Sequence, residues 1–141
     1  MIQQLSVFLE NRAGQLAQIT QILSQHQIDL RAINIAETAD YGVLRLIAAD
    51  TRKAAAVLSE EGFVLSVTPV AVVAVPDRPG GLNELLTILS DRQVDIEYMY
   101  SVFGKTNGLA YMVFRVSDAD AFENTLKEAG LQSADAAELG L

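Results

Sequence analysis

The chain has 141 residues and a formal net charge of −8, and half of its residues are hydrophobic. It contains no cysteine and one histidine, so it has no side chains for disulfides, thiolate chemistry or a multi-histidine metal site. The acidic balance argues against nucleic acid as a partner, because that interaction needs a basic surface. No apolar run approaches the ~20 residues of a membrane span, and the N-terminus lacks a signal-peptide pattern. We therefore expect a cytoplasmic protein that does not enter membranes.

The first half of the chain predicts the element order strand, helix, strand, strand, helix, strand. Alternating apolar residues predict a half-buried strand over 4–9, and apolar residues at helical spacing predict a helix over 15–25. Further strands are predicted over 30–37, 43–48 and 63–67, with a turn at 39–42. Asp50 or Thr51 is the expected N-cap of the second helix, and Gly62 its stop.

The second half predicts the same order again. An apolar run over 70–75 predicts a strand that is covered on both faces, and a helix follows over 81–92. Strands over 96–103 and 109–116 flank a hairpin turn at 104–108. Ser117 or Asp118 is the expected cap of the last helix, which Gly130 ends. A closing strand is expected within 131–141, where the strand propensity is weak.

The two halves are copies of one sequence pattern. The same residue recurs 66 positions later at Val7, Arg12, Gly14, Leu16, Ile22, Leu23, Ser24, Gln27, Asp29 and Gly42. We therefore predict two domains, 1–68 and 69–141. The element order predicts an α+β fold of two ferredoxin-like βαββαβ units in tandem, each an antiparallel sheet with its helices on one face.

A strand–loop–helix corner is the most informative part of each copy. The loop ends at Gly14 in the first copy and at Gly80 and Gly81 in the second, and glycine lets the backbone approach a ligand closely. The free N–H groups and the positive dipole end of the following helix suit a carboxylate. Asp29 and Asp95, at the entrance to the next strand, are suited to a charge-assisted bond to an ammonium group.

The residues around these corners resemble the ACT domain family. The first copy carries Leu9-Glu10-Asn11-Arg12-Ala13-Gly14-Gln15-Leu16, then Ile19 and Leu23, then Ile28-Asp29-Leu30 and Ile33. The second carries Val75-Pro76-Asp77-Arg78-Pro79-Gly80-Gly81-Leu82, with Leu89, Val94-Asp95-Ile96 and Met99. The resemblance covers nearly the whole chain and identifies it as a stand-alone tandem ACT protein.

This resemblance implies regulatory binding of an amino acid or a related metabolite, without catalysis, cofactor or metal. It also implies side-by-side pairing, and we expect a homodimer and a metabolic enzyme as a possible partner. The ligand-binding residues that it implies are Asn11, Ala13, Gly14 and Asp29 in the first copy, and Asp77, Pro79, Gly80, Gly81 and Asp95 in the second. Leu16 and Leu82, with Ile28 and Val94, are candidates to touch an apolar ligand side chain.

Two alternatives belong to other classes of protein. The chain could be a small subunit that docks on a metabolic enzyme without any ligand, using a bare sheet face that carries Tyr98 and Tyr100. It could also be a small enzyme, although no nucleophile, base and orienting group occur together in the sequence. The glycine loop of the second copy does not match a lysine-containing phosphate loop.

Overall fold

The computed structural model describes residues 1–10, 12–37, 41–104 and 107–141. The chain divides into two compact units. The first unit comprises Gln3–Thr68 with Gly140–Leu141, and the second comprises Pro69–Leu139 with Met1–Ile2. Within the described ranges, no helix is long and apolar enough to cross a membrane.

The first unit is an antiparallel sheet with two helices on one face. Its strands are β1 (Ile2–Glu10), β2 (Leu30–Glu37), β3 (Tyr41–Ala48) and the start of β4 (Leu65–Pro76), in the order β2-β3-β1-β4. Its helices are α1 (Gln15–Gln25) and α2 (Thr51–Glu60). The register places Val7 of β1 opposite Leu44 of β3, so the alternating apolar residues of both strands share the face that the helices cover.

The second unit also consists of an antiparallel sheet with two helices on one face. The rest of β4 pairs with β6 (Leu109–Val116), which pairs with β5 (Ile96–Ser101), and both pairings are antiparallel. The helices α3 (Gly81–Asp91) and α4 (Ala119–Glu128) pack on one face of these strands. Phe114 and Phe122 are fully buried between sheet and helix, with ring centroids 5.6 Å apart. The predicted fold class is therefore confirmed.

The prediction of two separate strands at the junction of the copies is wrong. Instead of strands over 63–67 and 70–75, the structure has one strand, β4, that runs through Thr68 and Pro69. Proline tolerates an extended backbone where its missing N–H is not needed. The carbonyl group of Pro69 accepts a hydrogen bond from Arg115 Nη1 at 3.0 Å.

The predicted closing strand of the second unit is also wrong. Residues 131–141 are all described, and they hold a short 3₁₀ helix (Ala137–Leu139) and no strand. One backbone bond joins this segment to the sheet, from Ala134 N to Val72 O. The physical reason is composition, because Ala, Asp and Glu are depleted in strands. The predicted turns at 39–42 and 104–108 lie partly outside the described residues, and Tyr41 and Gly42 belong to β3.

The outer faces of both sheets are less bare than the sequence suggests. Gln4 and Ser6, on the polar face of β1, are buried, and the Gln4 amide donates a hydrogen bond to the Ser6 hydroxyl at 3.1 Å. Tyr98 and Tyr100 stack at 6.5 Å, and Tyr100 is only 7% exposed. The expectation of a bare tyrosine face is therefore wrong at Tyr100.

The starts of α2 and α4 are capped by aspartates, as the sequence predicts. Asp50 accepts a hydrogen bond from Lys53 N, and Asp118 accepts one from Ala121 N, both at 3.0 Å. Both caps have the extended backbone of an N-cap residue. These side chains satisfy helix N–H groups that would otherwise lack a partner within the helix.

Replacing either cap by alanine lowers stability. We expect Asp50→Ala and Asp118→Ala each to reduce the free energy of unfolding by about 1 kcal/mol, because a helix N–H group loses its acceptor. Urea denaturation followed by circular dichroism measures the change. Asp50→Asn and Asp118→Asn are the controls, since asparagine caps a helix equally well. An asparagine variant as unstable as its alanine counterpart would contradict the capping role.

Candidate functional site

The two glycine corners have the same backbone geometry. Gly14, before α1, has φ 87° and ψ −12°, and Gly80, before α3, has φ 86° and ψ −11°. This left-handed region is disfavoured for residues with a Cβ atom. No atom lies within 4 Å of the place where a Cβ on Gly14 would stand, so the requirement for glycine there is conformational and not one of space.

Neither α1 nor α3 has a side-chain cap, in contrast to α2 and α4. Glycine at the N-cap position offers no side-chain acceptor for the N–H groups of the first turn. At α3 the N–H group of Gly81 donates to the carbonyl group of Arg78 at 3.0 Å, and at both starts no cap side chain accepts from the helix N–H groups. Both helix starts are thus open positive ends that suit the carboxylate of a ligand.

The charges at the two helix starts differ. The first turn of α1 contains no acidic residue, whereas that of α3 contains Glu84. Glu84 pairs with Arg78 at 2.9 Å, and Arg78 also donates to the carbonyl group of Pro79 at 3.4 Å. In the second corner, Arg78 therefore has partners within its own loop and the first turn of α3. In the first corner, Arg12 lies 3.5 Å from Glu10, and both side chains are largely exposed.

The first helical residue also differs between the corners. Gly81 is buried, and a Cβ at this position would stand 1.9 Å from the carbonyl oxygen of Pro76. Here glycine is needed for a close contact between helix and strand. The matching residue of the first unit is Gln15, which is 9% exposed, and its Oε1 atom is buried without a hydrogen-bond partner in the part of the chain that is described.

A cavity lies at the same place in each unit. The cavity of the first unit has a volume of about 440 Å³, and the cavity of the second has about 260 Å³. Gln15 lines the first, at the position that Gly81 occupies in the second. The remaining lining of the first cavity is Phe8, Leu9, Glu10, Arg12, Gln18, Tyr41, Glu61, Gly62, Phe63 and Val64.

The structure places the predicted loop residues on the surface, with two exceptions. Ala13, Gly14 and Leu16 are exposed in the first unit, and Asp77, Pro79 and Gly80 in the second. Gly81 is buried, and Leu82 is half-buried against the core of the second unit. Asn11 lies outside the described residues.

The predicted aspartates lie at the opposite end of the helix from the loops. Asp29 follows α1, whose 11 residues span about 16 Å, and Asp95 follows α3 of the same length. Asp29 accepts a hydrogen bond from Leu30 N and forms an ion pair with Arg31. Asp95 lines a separate cavity of about 510 Å³. Within one unit, therefore, the structure does not bring the loop and the aspartate together.

None of the described lining residues of the first cavity, Gln15, Phe8 and Tyr41 among them, belongs to the predicted ligand-binding set. The sequence signal that could have identified them is the difference between the two copies, because Gln15 matches Gly81 and Phe8 matches Ala74. These residues lie where the two copies differ in sequence, whereas the repeat is recognised from positions that are identical. In the described ranges, no group of three or more histidine or acidic side chains is placed to hold a metal ion.

The duplicated βαββαβ-like fold defines a tandem ferredoxin-like protein. Residues 1–140 match the family model described as an ACT domain pair, and the chain belongs to this family. ACT domains are regulatory domains.

The solved structures agree with this family. Protein BT0572 from Bacteroides thetaiotaomicron is 40% identical, with a TM-score of 0.90 over 99% of this chain and 95% of that one. The regulatory subunits of aspartate kinase from Thermus thermophilus and Thermus flavus share the fold. The Thermus thermophilus subunit is 14% identical, with a TM-score of 0.65 over 90% of this chain and 91% of that one. The Thermus flavus subunit is 16% identical, with a TM-score of 0.59 over 91% of this chain and 92% of that one. No curated protein matches the chain.

The contact between Gly81 and Pro76 is directly testable. We expect Gly81→Ala to lower the free energy of unfolding by on the order of 1–3 kcal/mol, because the new methyl group overlaps a carbonyl oxygen. Asn83→Ala, at an exposed position two residues later in α3, should stay within about 0.5 kcal/mol. Chemical denaturation compares the two variants. Equal stability of Gly81→Ala and the wild type would show that the helix does not approach the strand this closely.

Proposed function

We propose that this protein binds an amino acid or a related small metabolite at its glycine corners and thereby regulates a metabolic enzyme. In this proposal each copy is one ACT domain, with boundaries at 1–68 and 69–141. The protein acts in the cytoplasm as a homodimer.

The observation that carries the proposal is the contrast between the four helix starts. Aspartates cap α2 and α4, while α1 and α3 begin after a left-handed glycine with no side-chain cap. Uncapped N–H groups at a helix start cost stability unless water or a ligand satisfies them. A ligand carboxylate supplies both an acceptor and a negative charge at the positive helix end.

The position of the aspartates favours a dimer in this proposal. Asp29 and Asp95 are separated from the loop of their own unit by the length of a helix, which exceeds the distance between the carboxylate and ammonium groups of one amino acid. A ligand that touches both a loop and an aspartate can take the aspartate from a second protein molecule. A ligand at such an interface contributes to holding the dimer together.

Regulation then follows from differential affinity. A ligand that binds one arrangement of the dimer better than another shifts the population towards the arrangement it prefers. If a partner enzyme recognises this arrangement, the ligand changes the affinity for the enzyme by the same factor as the enzyme changes the affinity for the ligand.

We expect a selective rise in Tm when the pure protein is unfolded against a panel of the standard amino acids. A ligand at 100 times its dissociation constant adds about 2.7 kcal/mol to the free energy of unfolding. For a chain of this size, each kcal/mol raises Tm by roughly 2–4 °C. Differential scanning fluorimetry detects this shift, and no response to any amino acid would refute the proposal.

A double variant tests whether the corners hold the ligand carboxylate. Gly14→Asp/Gly80→Asp places carboxylates at both helix starts, where they cap the N–H groups and repel an anion. We expect it to lose the amino acid response. The matched control is Gly14→Asn/Gly80→Asn, because asparagine also tolerates the left-handed backbone but carries no charge. An aspartate variant that responds like the asparagine variant would show that the ligand binds elsewhere.

A further inference from the structure

We propose that the cavity at the start of α1 is the amino acid site of this protein, and that it selects a ligand with a bulky apolar side chain. The matching corner of the second unit does not bind such a ligand. This inference rests on the proposed function and specifies the unit, the residues and the class of amino acid.

The buried amide of Gln15 is the first argument. Its Oε1 atom is inaccessible and has no hydrogen-bond partner in the described residues, although the side chain lines a cavity of about 440 Å³. Buried polar groups are almost always paired, since an unpaired acceptor costs about 1–3 kcal/mol. Because this oxygen has no accessible surface, a ligand N–H donor in the cavity pairs with it once the Gln15 side chain turns towards the cavity.

The charges around this cavity fit a zwitterion. The uncapped start of α1, with no acidic residue in its first turn, offers positive charge on one side. Arg12 also lines the cavity, where it pairs with Glu10 at 3.5 Å. The carboxylate of Glu61, from the turn after α2, and the oxygen of Gln15 offer negative charge. The carboxylate and ammonium groups of one amino acid meet complementary partners here.

An exposed aromatic pair provides the apolar part of the site. Phe8 and Tyr41 are 45% and 47% exposed, and their ring centroids lie 6.4 Å apart. Val64 lines the same cavity and is 68% exposed. Exposed apolar groups that cluster at one cavity are typical of a binding surface. They would pack against a branched or aromatic side chain of the ligand.

The matching corner of the second unit keeps the uncapped helix start but lacks the other features. Ala74 replaces Phe8, Gly81 replaces Gln15, and no cationic side chain lines its cavity of about 260 Å³. The charged residue that does line it is Glu84, which would repel a carboxylate at the start of α3. The two corners therefore share a backbone conformation but are surrounded by different side chains.

Calorimetric titration of the full chain with chosen probes tests the ligand class. We expect L-phenylalanine and L-leucine to bind with one site per chain, and glycine at least tenfold more weakly. 3-Phenylpropionate, which lacks the ammonium group, and phenethylamine, which lacks the carboxylate, should also lose at least tenfold. Binding of either analogue as tightly as L-phenylalanine, or two equal sites per chain, would overturn the assignment.

Gln15→Met tests the residue, because methionine has a similar length and shape and no oxygen. We expect affinity for L-phenylalanine to fall at least tenfold, while the Tm of the ligand-free protein stays the same or rises, since an unpaired buried oxygen is removed. Gln21→Met makes the same change at an exposed position of the same helix outside the cavity, and should alter neither property. A purely structural Gln15 would give the opposite pattern, a lower Tm with unchanged affinity.

The failure of this inference is distinguishable from the failure of the proposed function. If some amino acid binds the wild type but Gln15→Met binds it with unchanged affinity, the cavity assignment is wrong and amino acid binding stands. If Gly80→Asp alone abolishes binding and Gly14→Asp alone does not, the ligand occupies the second corner. If no standard amino acid raises the Tm of the wild type, both are wrong.

Discussion

The left-handed glycine between strand and helix is the constraint on which the rest of this structure depends. Gly14 and Gly80 adopt the same dihedral angles to within a degree, in a region that costs most other residues about 1–2 kcal/mol. This one turn directs the apolar face of α1 or α3 onto its sheet. It also leaves the start of the helix without a capping side chain. Helix packing and the uncapped helix start therefore originate in the same residue.

Duplication has preserved this backbone while the side chains around it have diverged. In the first unit the corner opens on a cavity with an unpaired amide oxygen and an arginine that is largely exposed. In the second unit the helix lies against the strand at Gly81, and Arg78 and Glu84 neutralise each other. An identical fold thus supports a polar cavity in one copy and a smaller, mostly apolar one in the other, which is why chemistry must be argued for each site separately.

The sequence predicts the element order well, because apolar spacing along a strand or helix reports directly on which face is buried. The predicted bounds of α1 match the structure, and Asp50 and Asp118 cap the expected helices. The errors fall where spacing carries no information. Pro69 reads as an interruption, yet an extended strand passes through it.

The candidate site is harder to predict than the fold, because cavities depend on residues that are distant in sequence. Phe8 and Tyr41 meet through the pairing of β1 with β3. Asp29 and the loop are both predicted to bind one ligand, but the length of α1 separates them within a unit. Local sequence patterns predict the aspartate caps of α2 and α4, whereas distances across the unit depend on the whole fold.

The asymmetry of helix capping has a consequence for the local dynamics of the protein. A helix end whose N–H groups are held by an aspartate opens less often than one whose N–H groups meet only solvent. The amide protons at the starts of α1 and α3 should therefore exchange with solvent faster than those at the starts of α2 and α4. Fraying is then concentrated at the two corners, and a ligand that orders a frayed turn can change the protein's motion without moving its backbone.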